Sequence, residues 1–240
     1  MTRLTFNTGL RPLWSPDSRT VFFSSNQAGN FDIYSKPANG SGPDQQVTDE
    51  PIGVFPGAIT SDGQTIVFRQ GGGSGAMDIG MLRLEGGREP EMLLTTSFDE
   101  HTPKLSPDDR WLTYVSNESG RDEIYVTRFP TGGKWQISTE GGTEPMWSRD
   151  GRELFYRNGE LMMSVAISPG SEFTPGRPIV LFESPYVLKD GPGATNYDVT
   201  PDAQGFVMIR DAGGGITGPT QQIILVQNWL QELERLVPRP

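Results

Sequence analysis

The apolar positions of this chain come in short runs separated by Gly, Pro, Asp, Asn and Ser. Val21-Phe22-Phe23, Ile66-Val67-Phe68, Trp111-Leu112-Thr113-Tyr114-Val115, Leu154-Phe155-Tyr156 and Phe206-Val207-Met208-Ile209 are rich in β-branched and aromatic residues and too short for buried helices, so they predict strands. A phrase of turn-forming residues precedes each run: Trp14-Ser15-Pro16-Asp17-Ser18-Arg19, Ile59-Thr60-Ser61-Asp62-Gly63-Gln64, Leu105-Ser106-Pro107-Asp108-Asp109-Arg110, Trp147-Ser148-Arg149-Asp150-Gly151-Arg152 and Val199-Thr200-Pro201-Asp202-Ala203-Gln204. Proline presets its backbone angle and the Asp side chain accepts nearby amide hydrogens, so the phrase reads as a hairpin turn. Its aspartates, Asp17, Asp62, Asp108, Asp150 and Asp202, stand 45, 46, 42 and 52 positions apart, the period of a repeat with about four strands per unit.

Two further strands complete each unit. The third begins at an acidic residue followed by a β-former, as in Asp32-Ile33-Tyr34, Asp78-Ile79-Gly80 and Glu123-Ile124-Tyr125; in the fourth unit Asn158-Gly159 shortens the approach to a two-residue hairpin. Gln46-Val47-Thr48, Met92-Leu93-Leu94, Trp135-Gln136-Ile137 and Ile179-Val180-Leu181-Phe182 supply fourth strands. The fifth unit lacks one. Arg3-Leu4-Thr5-Phe6 stands where it would be needed, and pairing it with the last sheet would close a ring without free edges. Beyond it, Trp229, Leu230, Leu233, Leu236 and Val237 fall on one side of a short helix.

The expectation is therefore an all-β, five-bladed β-propeller forming one domain over 1–240. Its repeats cover about 11–50, 55–98, 102–140, 144–184 and 195–228, with a closing strand at 2–6 and a helix at 229–237. The 34% apolar content suits many half-buried strands, and the 30 glycines and 20 prolines act as punctuation between them. If the ring failed to close within one chain, strand exchange would make an oligomer of what is otherwise a monomer.

Thirty acidic against 20 basic residues, a formal charge of −10, argues against a nucleic-acid binder, which needs clustered Lys and Arg. The absence of cysteine removes disulfides, thiolate nucleophiles and Cys-ligated zinc. No apolar run approaches the roughly 20 residues of a membrane span, and Met1 to Leu10 lack the pattern of a signal peptide.

The cadence Trp14-Ser15-Pro16-Asp17, Ser24-Ser25-Asn26, Gly29, Asp32-Ile33-Tyr34, repeated at Ser116-Asn117, Gly120 and Glu123-Ile124-Tyr125, resembles the WD40-like repeat of TolB-type β-propellers. The chain is also similar to the C-terminal propeller of some bacterial serine/threonine kinases, whose ends look like Gln227-Asn228-Trp229 to Val237-Pro238. The resemblance implies the fold and a module that binds a protein, peptide or small molecule, in a family often found outside the cytoplasm. No kinase motif is present, so kinase activity does not carry over.

Candidate chemistry gathers in the segments that join one repeat to the next, which in a propeller lie around the central channel. They carry Asp49 and Glu50, Asp99 and Glu100, Glu140 and Glu144, and Asp190. Converging carboxylates would make an electronegative entrance for a divalent cation such as calcium, with Asp99, Glu100 and Glu144 as ligands. His101, the only histidine, could then assist as a base beside Glu144 in a metal-assisted hydrolase of phosphate esters or lactones. Arg11, Phe55, Glu100, Asn196 and Tyr197 are the expected ligand-binding residues at the same mouth, and Trp14, Trp111, Trp135 and Trp147 the expected wedges between blades. Gly71-Gly72-Gly73-Ser74-Gly75 lacks the Lys-Ser/Thr of a phosphate loop and reads as a connection.

Overall fold

The structure, a computed structural model, describes residues 9–71, 76–86, 89–187, 195–211 and 221–227. These residues form strands and loops and contain no helix. The predicted closing strand at 2–6, the helix at 229–237, Asp190 and most of the glycine-rich connection lie outside them.

Five antiparallel sheets follow one another along the chain. The first holds β1 (Leu10–Trp14), β2 (Thr20–Ser25), β3 (Asp32–Pro37) and β4 (Gln45–Gln46). The second holds β5 (Val54–Ile59), β6 (Thr65–Gly71), β7 (Met77–Arg83) and β8 (Glu91–Leu94); the third holds β9 (Glu100–Leu105), β10 (Trp111–Ser116), β11 (Glu123–Arg128) and β12 (Trp135–Gln136). In the fourth, β13 (Thr143–Trp147), β14 (Glu153–Asn158) and β15 (Leu161–Ser168) are followed by two short strands, β16 (Thr174–Pro175) and β17 (Ile179–Glu183), which share the outer edge of β15. The fifth holds β18 (Tyr197–Val199), β19 (Gly205–Asp211) and β20 (Gln221–Gln227). The two-residue hairpin of the fourth sheet is shifted by one position from the expectation. Asn158 pairs with Leu161, so the loop residues are Gly159 and Glu160.

Every recurring aspartate is a turn residue, and the five turns share one wiring. Asp17 accepts from the Ser15 hydroxyl at 2.6 Å and from the Arg19 amide at 3.0 Å, and Asp62, Asp108, Asp150 and Asp202 repeat this with Thr60, Ser106, Ser148 and Thr200. The same hydroxyl oxygens accept the amide five residues on, which closes each hairpin. Hydrogen bonds from hydroxyl and amide hold the Asp17, Asp62, Asp150 and Asp202 carboxyls below the usual Asp range. The residue after each aspartate adopts positive φ, at Ser18 (58°), Gly63 (72°), Asp109 (57°), Gly151 (69°) and Ala203 (57°). Ala is the least suited of these to the left-handed region. Ala203→Gly is therefore expected to raise stability by up to about 1 kcal/mol in a denaturant titration, because relieving the Cβ strain outweighs the extra chain entropy.

The acid that opens the third strand is also wired into the frame. Asp32 accepts from the Thr48 hydroxyl at 2.8 Å and the Glu50 amide at 3.0 Å, while Thr48 Oγ1 accepts the Ile33 amide at 2.9 Å. Glu123 repeats the device with the Ser138 hydroxyl and the Gly141 amide, and Ser138 accepts the Ile124 amide.

Strand alternation puts apolar side chains on both faces of each sheet, and the cores lie between neighbouring sheets. Phe22 and Ile33 meet Ile66, Phe68 and Leu82; Val67 and Ile79 meet Leu112, Tyr114 and Tyr125. Trp111, Val115 and Ile124 meet Trp147, Leu154 and Phe173; Phe155 and Leu181 meet Tyr197 and Phe206. Two of the four expected tryptophan wedges, Trp111 and Trp147, are buried in these seams, and Trp135 packs against the third from the side. Trp14 is 56% exposed and does not wedge.

Candidate functional site

Inner strands β1, β5, β9, β13 and β18, one from each sheet, surround a single cavity of about 620 Å³. A repeated irregularity shapes its wall. Arg11, Thr102 and Glu144 each stand directly before a proline with φ of 53°, 54° and 56°, and the pairing registers of β1, β9 and β13 slip there. Such a bulge re-aims the side chains around it, and a left-handed residue before proline is strained. Since the strain recurs at one repeat position in three of the inner strands, it belongs to the architecture. In β5 the proline comes one place early and Gly57 takes its slot. A Cβ there would lie 2.6 Å from the Pro103 ring, so glycine lets β5 and β9 close together beside the cavity.

The lining is cationic. Among the described residues Arg11 from β1, Lys104 from β9 and Arg69 from β6 line it, against one carboxylate, Asp198 of β18. Arg69 is only 7% exposed and lies over the Phe55 ring at 4.2 Å, with Arg11 at 5.6 Å from the same ring. Burial, and then repulsion from Arg11, lowers the Arg69 pKa to about 10. Burial lowers Arg11 and Lys104 as well; for Lys104 the Asp198 charge opposes the shift and the Arg11 charge adds to it. The expected electronegative character is thus not that of the cavity wall. Three of the connecting carboxylates, Asp99, Glu100 and Glu144, accept from amides and a hydroxyl instead.

The expected site residues separate into groups. Arg11, Phe55 and Tyr197 line the cavity. Glu144 and Asn196 stand together beside it, with Glu144 Oε2 accepting the Asn196 amide at 2.8 Å and the Glu144 carbonyl accepting the Tyr197 hydroxyl at 2.7 Å. These bonds fasten the fifth inner strand to the fourth, and burial pushes the Tyr197 hydroxyl well above its ordinary pKa. Asp99 accepts the Met77 amide at 3.0 Å and the Asn117 side-chain amide at 3.1 Å. His101 is buried off the cavity wall, with Nδ1 2.8 Å from the Thr102 hydroxyl and Nε2 3.6 Å from Asp122. Among the described residues no three His, Asp or Glu side chains are grouped to hold one metal ion. Asp99, Glu100 and Glu144 do not form a fitting ligand set. Arg69, Lys104, Met146 and Asp198 also line the cavity and were not nominated from the sequence.

Glu100 is 2% exposed; it accepts the Thr96 hydroxyl at 2.5 Å on Oε1, and its Oε2 has no hydrogen-bond partner. Burial raises its pKa, and the charges of Asp78 and Glu118 raise it further. A carboxyl with a raised folded pKa favours folding below its ordinary value of 4.5 and loses that contribution as pH rises through the folded value. Glu100→Gln is therefore expected to be more stable than the parent at pH 7, with the difference vanishing below about pH 4.5. Melting curves across that range provide the check; a variant less stable at pH 7 would give Glu100 a charged partner that this geometry lacks.

Five antiparallel sheets arranged around a common cavity define a β-propeller. The TolB beta propeller domain family, PD40, matches residues 1–149, and the chain belongs to it. Among solved structures the chain is similar to TolB from Acinetobacter baumannii, with a TM-score of 0.68 and 17% identity over 91% of this chain and 52% of that one. A putative TolB from Agrobacterium tumefaciens gives a TM-score of 0.62 and 19% identity over 76% and 68% of the two chains. An oligogalacturonate lyase from Vibrio parahaemolyticus gives 0.57 and 12% over 94% and 78%. The chain spans about half the length of the Acinetobacter protein, and at these identities the likeness is one of fold. No curated protein matches. No helix among the described residues is long and apolar enough to cross a membrane.

Proposed function

We propose that this propeller is a binding module that takes a small ligand, or the projecting end of a protein or peptide partner, into its central cavity. The observation that carries the reading is that all five inner strands contribute to one cavity of about 620 Å³, within the size range of ligand sites. Membership of the TolB propeller family supports a binding role. The wall combines apolar surface from Leu13, Phe55 and Met146 with a few polar groups that would fix a ligand's orientation.

Met146 makes the test direct, because it lines the cavity while Met81 and Met162 are buried in the core. In a protein carrying ¹³C-methyl methionine, a ligand from a small-molecule or peptide screen is expected to shift the Met146 signal and leave Met81 and Met162 in place. Ligands that bind while leaving Met146 unmoved would refute the cavity as the site. No observation favours the metal-assisted hydrolase over this reading: among the described residues no three His, Asp or Glu side chains are grouped to hold a metal ion.

A further inference from the structure

Resting on the cavity as the binding site, we infer that its ligand is a small organic dianion, such as a dicarboxylate or a phosphate monoester, held between Arg69, Lys104 and Arg11. Among the described residues that line the cavity, three cations stand against the one carboxylate of Asp198, an excess of two positive charges in a protein whose overall formal charge is −10. A local excess of this sign, opposite to that of the chain, concentrates anions at one place.

Arg69 is held ready for an anion. Its Nη1 donates to the Gly71 carbonyl at 2.9 Å and its plane rests on Phe55, while its Nε–H has no acceptor. A buried guanidinium donor without an acceptor costs free energy that an oxyanion would recover. Lys104 is similarly under-used: its Nζ makes one long contact, 3.3 Å, to the Gly57 carbonyl. Among the described residues neither Arg69 nor Lys104 forms an ion pair, whereas Lys36 in the first sheet is paired with Asp44 at 2.9 Å. The cations come from three sheets, so they meet only because the inner strands converge. Leu13, Phe55 and Met146 add apolar wall, which suits an organic body and strengthens charge interactions by excluding water.

The experiment titrates the full chain with phthalate and with phenyl phosphate, using calorimetry together with the Met146 methyl signal, and compares phthalamide as the neutral analogue. Both anions are expected to bind at least tenfold more tightly than phthalamide and to shift Met146. Arg69→Gln and Lys104→Met are each expected to weaken binding by tenfold or more. Lys104→Met removes a desolvated charge and should fold at least as well as the parent, so its loss of binding cannot be ascribed to unfolding. If phthalate alone or phenyl phosphate alone binds with this dependence, the anion class narrows to that one and the inference stands. If phthalamide or another neutral compound shifts Met146 as strongly as the anions, or if both variants bind them unchanged, the dianion is refuted while the cavity remains the site. Anions that bind without moving Met146 would refute both.

Discussion

Phe173→Ala is expected to lower the unfolding free energy by about 3–5 kcal/mol, the cost typical of deleting a buried aromatic ring. Phe173 belongs to the loop between β15 and β16, yet its ring is the centre of the seam between the third and fourth sheets. It lies 5.1 Å from Trp111, 5.2 Å from Trp135 and 6.4 Å from Trp147, ring centre to ring centre. Arg110 fastens the loop by donating to the carbonyls of Gly170 and Ser171 at 2.8 Å each, and the Arg110 and Arg128 guanidinium groups lie against Trp111. The fastened loop limits how far the tryptophans can collapse into the vacated space, which favours the upper part of the range. Equilibrium urea unfolding followed by tryptophan fluorescence measures it. A loss under about 1 kcal/mol would mean that the loop is not packed in the seam.

Glu123→Ala is expected to cost roughly 3–4 kcal/mol, because one fully buried carboxylate serves three donors. Oε1 accepts Arg121 Nε at 2.8 Å and the Gly141 amide at 2.9 Å, and Oε2 accepts the Ser138 hydroxyl. Truncation leaves the buried hydroxyl and the amide without an acceptor and frees the segment that leads from β12 into β13. Glu123→Gln should cost less, since the amide oxygen can still accept from one or two of these donors. Equal losses for Ala and Gln, measured in the same denaturant titration, would show that the negative charge and not the number of acceptors is what matters.

These two residues mark how far the sequence could be read. Glu123 and Asp32 were visible as a recurring acid before Ile-Tyr, and the five turn aspartates as a recurring phrase, because local hydrogen bonding imposes the same residues at the same offset. Phe173 was not visible, since it lies in a connection unique to the fourth sheet and its partners are supplied by the sheet before it. The acidic connections misdirected the reading of the site for a related reason. Their composition is evident in the sequence, but the direction of each side chain depends on which amide or hydroxyl it meets, as Asp99 meets Met77 and Glu144 meets Asn196.

The cations of the cavity did leave a signal. Lys104 sits one place before Leu105, the slot held by Leu13, Ala58 and Met146 in other repeats, and Arg69 follows the apolar run Ile66-Val67-Phe68 at the position of Arg157 in the fourth. Charged residues inside runs of β-formers are costly to bury and stand out once the repeats are aligned. Arg11, Phe55 and Tyr197, expected at the channel mouth, line the cavity because inner strands of a propeller face its axis.

Whether the cavity holds an organic dianion is decided by a crystal of the full chain soaked with 4-bromophenyl phosphate and measured at the bromine absorption edge. One strong anomalous peak is expected inside the cavity bounded by the five inner strands, with phosphate oxygens within hydrogen-bonding distance of Arg69 and Lys104. An ordered bromine elsewhere on the protein with the cavity empty, or inner strands that do not share a cavity, would contradict it.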